Sequence, residues 1–122
     1  MLDSDRRKCD FLQPFAEELG NVRVVWGRVE DEKRESYGVA LAKALAKPPV
    51  AAELTLPLVR KGGIAVLWCG ESADRSAVSR VAEQLGAELE RDEEGLLVLR
   101  KTDRTPAGFP RKPGLAKKRP LA

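Results

Sequence analysis

The chain has 122 residues, of which 43% are hydrophobic and 34% charged, and its formal net charge is +3. This length predicts one domain at most, and no apolar run approaches the roughly 18 residues that would cross a membrane. The sequence contains no histidine, and its two cysteines, Cys9 and Cys69, form no CxxC pair. The composition therefore argues against a zinc site of ordinary ligands and against Ser-His-Asp hydrolysis. It predicts a cytoplasmic protein with reduced thiols, no metal and no membrane partner.

Positive charge is concentrated at the C-terminus. Residues 100–122 hold eight Lys or Arg against one acid, Asp103, whereas residues 1–99 carry a net charge of −4. The basic segment has too few large apolar residues to form a core of its own. Basic charge not needed for folding commonly meets a polyanion, so RNA or DNA is the first candidate partner. The alternative is a solvated, disordered C-terminus.

Helical and strand-like patterns alternate through the body of the chain. Ser4 is a candidate cap for a helix that extends to about Leu19 and stops at Gly20. A β-branched strand is expected at residues 22–26, and a second apolar run follows at residues 37–41. A helix is then expected at residues 48–60 and a strand at residues 64–69. An amphipathic helix follows at residues 72–85, and a closing hairpin is expected from residues 87–90 and 96–100. This alternation of helices and strands is typical of an open α/β sheet.

Ligands of such sheets bind where strands end and helices begin. Three strand ends are candidates, at residues 2–4, 27–30 and 69–71. Asp3 is suited to the two hydroxyls of a ribose, although the same residues suit a solvated cap. A backbone N–H and the carboxylate of Glu30 could read an adenine edge, or form a plain turn. Cys69 is either a nucleophile or a structural thiol at the end of an apolar strand.

Three motifs connect the sequence to a known family. Residues 2–30, LDSDRRKCDFLQPFAEELGNVRVVWGRVE, are similar to a V-D-S/A-x-R-K-[KR]-x-x-F-L pattern followed by a strand that ends G-R-A-E. Residues 41–63, LAKALAKPPVAAELTLPLVRKGG, are similar to A-R-A-[LV]-A-P-L followed by L-P-L-L-x-x-G-G. Residues 105–114, TPAGFPRKPG, match T-P-x-x-[YF]-P-R-[RK]-x-G. In this order the motifs resemble those of the bacterial small-subunit (16S) rRNA guanine-N7 methyltransferases, the RsmG or GidB family.

The resemblance implies the fold. The family has a Rossmann-like class I S-adenosylmethionine-dependent methyltransferase sheet of strand order 3-2-1-4-5-7-6, of which the last four predicted strands would form the contiguous 4-5-7-6 part. Residues 1–101 would be the C-terminal part of that α/β domain, and residues 102–122 a basic, proline-rich tail. The family's first strand and Gly-rich cofactor loop have no counterpart in the sequence. We expect either that translation begins upstream of Met1 or that the chain is a degenerate remnant.

The resemblance also implies methylation of guanine N7 in small-subunit rRNA, with S-adenosylmethionine as cofactor and the rRNA or 30S particle as partner. Activity would require the N-terminal half of the family's fold; the alternative is a non-enzymatic remnant or a weak RNA-binding module. Guanine N7 carries a lone pair and no proton, so methyl transfer needs alignment more than acid–base help. No catalytic residue is therefore predicted.

Site residues follow from the matched motifs. Asp3 and Ser4 would meet the cofactor ribose, Val29 and Glu30 the adenine, and Lys43 the cofactor or substrate. The residues expected to contact RNA phosphates are Arg104, Arg111, Lys112, Lys117, Lys118 and Arg119. The chain departs from the family in three places, one of which is a shorter segment between the last two strands. Lys43 replaces an arginine, and Cys69-Gly70-Glu71 replaces Lys-Gly-Pro, so a cation is lost at that strand end.

Overall fold

The computed structural model describes residues 1–43 and 45–122. They form two compact units, Met1–Glu32 and Lys33–Ala122. Within the described residues, no helix is long and apolar enough to cross a membrane.

The first unit is a small parallel strand pair with one helix. Strand β1 (Leu2–Asp3) is followed by helix α1 (Arg6–Leu19), strand β2 (Val25–Trp26) and a 3₁₀ turn (Val29–Asp31). The two strands are parallel, with Leu2 opposite Val25 and Asp3 opposite Trp26. The predicted strand at residues 22–26 is thus shorter than its β-branched pattern suggests, because only its last two residues have a strand partner.

Helix α1 begins one residue later than predicted. The side chain of Asp5, not Ser4, caps it and accepts a hydrogen bond from the backbone N–H of Arg7 at 2.9 Å. The predicted stop is confirmed, since Gly20 adopts a φ of 76° and its N–H donates to the carbonyl of Ala16.

The second unit is built on a four-stranded mixed sheet. Its elements are β3 (Tyr37–Lys43), α2 (Pro48–Thr55), a 3₁₀ turn (Leu56–Leu58), β4 (Val59–Trp68), α3 (Arg75–Gln84), β5 (Ala87–Glu93), β6 (Leu96–Lys101) and α4 (Leu115–Lys118). The strand order is β3-β4-β6-β5, with β3 parallel to β4 and the other neighbours antiparallel. This is the 4-5-7-6 order that the resemblance implied.

The core lies between this sheet and helices α2 and α3. Its buried side chains alternate along the strands and recur with helical spacing; they include Ala52, Leu56, Ala65, Leu67, Val78, Val81, Leu97 and Leu99. Fully burying one such Leu or Val side chain contributes about 1.5–3 kcal/mol. Helix α2 ends at Thr55 rather than near Arg60 as predicted. Pro57 has no N–H to continue the helical ladder, and Val59 already starts β4.

Gly86 and Gly63 are required by close approach of the backbone. A Cβ at Gly86 would lie 2.8 Å from the carbonyl oxygen of Arg104, and its φ is +74°. A Cβ at Gly63 would lie 2.4 Å from the carbonyl oxygen of Gly38 on the neighbouring strand. At both positions the absence of a side chain allows two backbone segments to approach closely, and a larger residue would push them apart.

The basic C-terminal segment is folded onto the second unit. Thr105 and Ala116 are buried, and the side chains of Phe109 and Leu121 pack against the core. The alternative of a solvated, disordered C-terminus is therefore wrong. The segment needs no core of its own because its apolar side chains pack against the core of the second unit.

Candidate cofactor and RNA sites

The two strand ends of the first unit are held side by side. The N–H of Gly27, just after β2, donates to the carbonyl oxygen of Asp3 at 3.0 Å. The buried thiol of Cys9 donates to the same oxygen at 3.4 Å and to the carbonyl of Val25 at 3.7 Å. This brings Asp3 to the same edge as the turn that follows β2, as expected for parallel strands.

One of the two oxygens of the Asp3 carboxylate is held by the backbone. Its Oδ1 accepts a hydrogen bond from the N–H of Asp5 at 2.8 Å, which fixes the side chain. Its Oδ2 has no hydrogen-bond partner within the part of the chain that the structure describes. An ionised carboxylate oxygen of this kind is an acceptor for a ligand hydroxyl. Ser4 next to it is exposed, and its carbonyl accepts from Trp26 Nε1 at 3.1 Å.

The residues predicted for the adenine lie in the 3₁₀ turn after β2. Val29 begins this turn and Glu30 follows, with its side chain only 10% exposed. Glu30 Oε2 lies 4.0 Å from Arg28 Nη1. Asp3, Ser4, Val29 and Glu30 thus all belong to one edge of the first unit.

An open pocket of about 330 Å³ adjoins Asp3. Its other lining residues are Arg7, Lys8, Phe11 and Leu12 of helix α1. Two cations beside a carboxylate and an apolar wall suit a ligand with an anionic group and an apolar body. Sequence reasoning assigned no role to Arg7 and Lys8, although the run of three bases at residues 6–8, at the start of α1, was the available signal.

Lys43 belongs to the second unit, at the end of β3. It is exposed, and it lies opposite Trp68 in the parallel register of β3 and β4. The segment 69–71 therefore follows at the same sheet edge as Lys43. The structure thus joins Lys43 to the third candidate strand end.

Cys69 has the surroundings of a structural thiol. Burial raises its pKa, against an opposing effect of the Arg75 charge. Its Sγ donates to the carbonyl of Gly95 at 3.6 Å, and its N–H donates to the same carbonyl at 2.8 Å. A raised pKa leaves little thiolate near neutral pH, which favours the structural alternative over a nucleophile.

Five of the six predicted RNA-contacting side chains lie on the surface. They are Arg104, Lys112, Lys117, Lys118 and Arg119. The sixth, Arg111, is only 18% exposed and pairs with the buried carboxylate of Glu53. Its guanidinium is therefore mostly buried and already paired with a carboxylate of the protein.

A second buried ionic group was missed by sequence reasoning. Lys101 is fully buried at the end of β6, and its Nζ lies 3.8 Å from Glu35 Oε1. The signal was strand alternation, because Leu97, Leu99 and Lys101 share the face of β6 that points into the core.

The strand order of the second unit and the paired strand ends of the first are those of a Rossmann-like fold of the class I methyltransferase type. Two solved structures support this fold. A crystal structure from Corynebacterium glutamicum superposes with a TM-score of 0.59 at 21% identity, covering 84% of this chain and 60% of that one. The Thermus thermophilus 16S rRNA N2 G1207 methyltransferase, solved with AdoMet and guanosine, has a TM-score of 0.61 at 15% identity, covering 86% of this chain and 29% of that one. The predicted fold class is confirmed.

Sequence comparison identifies the family. Residues 1–92 match the model of the GidB family, rRNA small subunit methyltransferase G, and the chain belongs to this family. The Ribosomal RNA small subunit methyltransferase G of Synechococcus elongatus is 37% identical, over 99% of this chain and 58% of its own length. That of Carboxydothermus hydrogenoformans is 35% identical, over 99% of this chain and 60% of its own length. The chain thus spans somewhat more than half the length of these relatives.

Proposed function

We propose that these residues form the part of a small-subunit rRNA methyltransferase that holds the nucleoside end of S-adenosylmethionine and contacts the rRNA. The single observation that carries this proposal is the hydrogen bond from Gly27 N to the carbonyl of Asp3. It joins the strand end that carries the Asp3 carboxylate to the segment leading into the Val29–Glu30 turn, at the edge where sheets of this class bind ligands. Family membership supports the reaction class.

The chemistry of this edge fits a nucleoside. The unpartnered Oδ2 of Asp3 would accept a ribose hydroxyl, with Ser4 adjacent. Val29 and Glu30 would take the adenine, whose exocyclic amino group is a donor for a carboxylate. The cofactor supplies an activated methyl group when bound.

The acceptor in this proposal is guanine N7 of small-subunit rRNA. N7 has an in-plane lone pair and loses no proton, so a chain without histidine suffices if the base is aligned with the methyl group. Lys43 at its strand end would meet the cofactor or the RNA. The five exposed cations of the C-terminal segment would contact phosphates, which position RNA without reading its sequence.

A chimaera tests the proposal, because the chain spans 58% of its Synechococcus relative. The N-terminal part of that relative, up to the start of the matched region, is fused ahead of Met1. The fusion is incubated with unmodified 30S particles and methyl-labelled S-adenosylmethionine, and the labelled nucleoside is identified by mass spectrometry. We expect the label in 7-methylguanosine.

A pair of matched variants assigns the site. Asp3→Asn in the chimaera should lower kcat/KM for the cofactor about tenfold, as expected for one lost charged hydrogen bond. Asp10→Asn, which removes an exposed carboxylate from helix α1, should leave it unchanged. A label in another nucleoside would refute the N7 assignment. RNA binding without methyl transfer would instead make the chain a non-enzymatic RNA-binding module.

A further inference from the structure

Arg111 is bound by a carboxylate from another part of the chain. Its Nε donates to Glu53 Oε2 at 2.8 Å, and its Nη2 donates to Glu53 Oε1, so the two planar groups meet in a bidentate pair. Glu53 is 3% exposed and lies in α2, where it is the one charged residue. A planar guanidinium fits a carboxylate in this geometry better than a lysine ammonium does.

The same guanidinium also holds the end of the last helix. Arg111 Nη2 donates to the carbonyl oxygen of Arg119 at 2.8 Å. Arg119 is the C-cap residue of α4, whose inner side is anchored by buried Ala116. Arg111 thus connects α2 to the C-terminal end of α4, directly beside Lys117 and Lys118.

The start of the segment is fixed independently. Arg34 Nη2 donates to the carbonyls of Thr105 and Pro106. The N–H of Thr105 donates to Glu35 Oε1 at 2.7 Å. With both ends tied to the second unit, the exposed cations between them are presented on an ordered surface.

We propose that Arg111 and Glu53 are positioning residues for RNA binding, and that Arg111 contacts no phosphate itself. The pair sets the placement of Lys117, Lys118 and Arg119, and this inference rests on the proposed RNA-binding role of the segment. A phosphate that took Arg111 would leave the Glu53 carboxylate buried and unpaired, which is strongly unfavourable. Cations ordered before binding lose less conformational freedom when RNA arrives.

Replacing Glu53 separates positioning from simple charge attraction. Glu53→Gln removes a negative charge, so charge attraction alone predicts tighter binding to RNA. Positioning predicts weaker binding, by about tenfold, because two or three side chains must then be ordered on binding. Arg111→Lys keeps the net charge but removes the planar guanidinium that forms the bidentate pair. It should weaken RNA binding by the same factor, and it tests the inference if Glu53→Gln does not fold.

The matched control is Glu90→Gln. It removes the same charge from a carboxylate on β5 that pairs with Arg100 at 3.0 Å. It should leave RNA affinity equal to or slightly above that of the unmodified chain. Affinity is measured on the full chain by fluorescence anisotropy with a labelled RNA hairpin over a series of salt concentrations. Hydrogen exchange at the amides of α4 is measured in parallel and should accelerate in Glu53→Gln and Arg111→Lys only.

The outcomes are distinct. Weaker binding in both variants of the pair, together with faster exchange in α4, supports the inference. If Glu53→Gln binds RNA as Glu90→Gln does, or if exchange accelerates while affinity is unchanged, the pair is structural only and the inference is overturned. If the unmodified chain binds the hairpin without salt dependence, the proposed RNA-binding role of the segment fails first, and the inference fails with it.

Discussion

The ammonium of Lys101 lies 2.6 Å from the hydroxyl oxygen of Thr105, inside the protein. Its other two protons are donated to the carbonyls of Leu56 and Val59, each at 3.0 Å. One lysine therefore satisfies three acceptors and joins β6 to the turn before β4 and to the C-terminal segment. Burial lowers its pKa, and the nearby carboxylate of Glu35 opposes that shift.

Replacing Lys101 should destabilise the second unit. Lys101→Met retains much of the volume but leaves two carbonyls and a hydroxyl without their donor. We expect a loss of about 2–4 kcal/mol in the free energy of unfolding, as for several unsatisfied buried groups. Urea unfolding followed by circular dichroism measures it. Lys33→Met, at an exposed lysine, should change stability by less than about 0.5 kcal/mol. Equal stability of the two variants would contradict this account.

Glu35 should contribute stability that disappears in acid. The hydrogen bond from the N–H of Thr105 lowers its pKa below the ordinary 4.5, helped by the charges of Lys101 and Arg34. A carboxyl group with a lowered folded-state pKa stabilises the fold above its unfolded-state pKa. That contribution is lost as pH falls through the folded-state value.

Glu35→Gln removes this titration, so stability between about pH 3 and 5 should depend less steeply on pH than in the unmodified chain. Urea midpoints across that range provide the measurement. Glu88→Gln, on the exposed side of β5, is the control and should retain the full pH dependence. An identical acid profile for the two variants would show that Glu35 is not the titrating group.

RNA binding by the C-terminal segment should depend steeply on salt. If all five exposed cations meet phosphates, the slope of log K against log salt should be roughly −3.5 to −4.5. Lys117→Gln with Lys118→Gln should flatten it by about 1.4–1.8. Substitution is preferable to truncation after Lys101, because truncation would remove Thr105 and leave the buried ammonium of Lys101 without one of its hydrogen-bond acceptors. Arg80→Gln with Lys33→Gln removes two exposed cations elsewhere. If that pair flattens the slope equally, the charge acts without a defined surface.

Gly86 should not tolerate a side chain. Gly86→Ala places a Cβ within 2.8 Å of the Arg104 carbonyl and forces a positive φ on alanine. We expect a loss of about 1–3 kcal/mol in the free energy of unfolding. Gly70→Ala is the control, since a Cβ there meets nothing within 4 Å. Thermal unfolding of the two variants compares them, and equal midpoints would argue against the close approach.

Local sequence determined most of the elements and the sheet. The stop of α1 at Gly20 depends on one residue's access to positive φ, and it was predicted correctly. The apolar run at residues 64–69 predicted the second half of β4 and the hairpin pattern predicted β6, and the family resemblance implied the strand order. The sequence placed Asp3 and Glu30 at strand ends, and in the structure Asp3 ends β1 and Glu30 lies in the turn after β2.

Tertiary structure decided the features that depend on residues far apart in the sequence. Thr105, which accepts from Lys101 and donates to Glu35, ties the basic segment to the second unit, whereas its composition alone allowed disorder. Arg111 reads as a surface cation until Glu53, 58 residues earlier, is placed opposite it. The periodicity of a segment shows which of its side chains point into the core. It does not show which side chain of a distant element will pair with them, because that contact forms only in the folded chain.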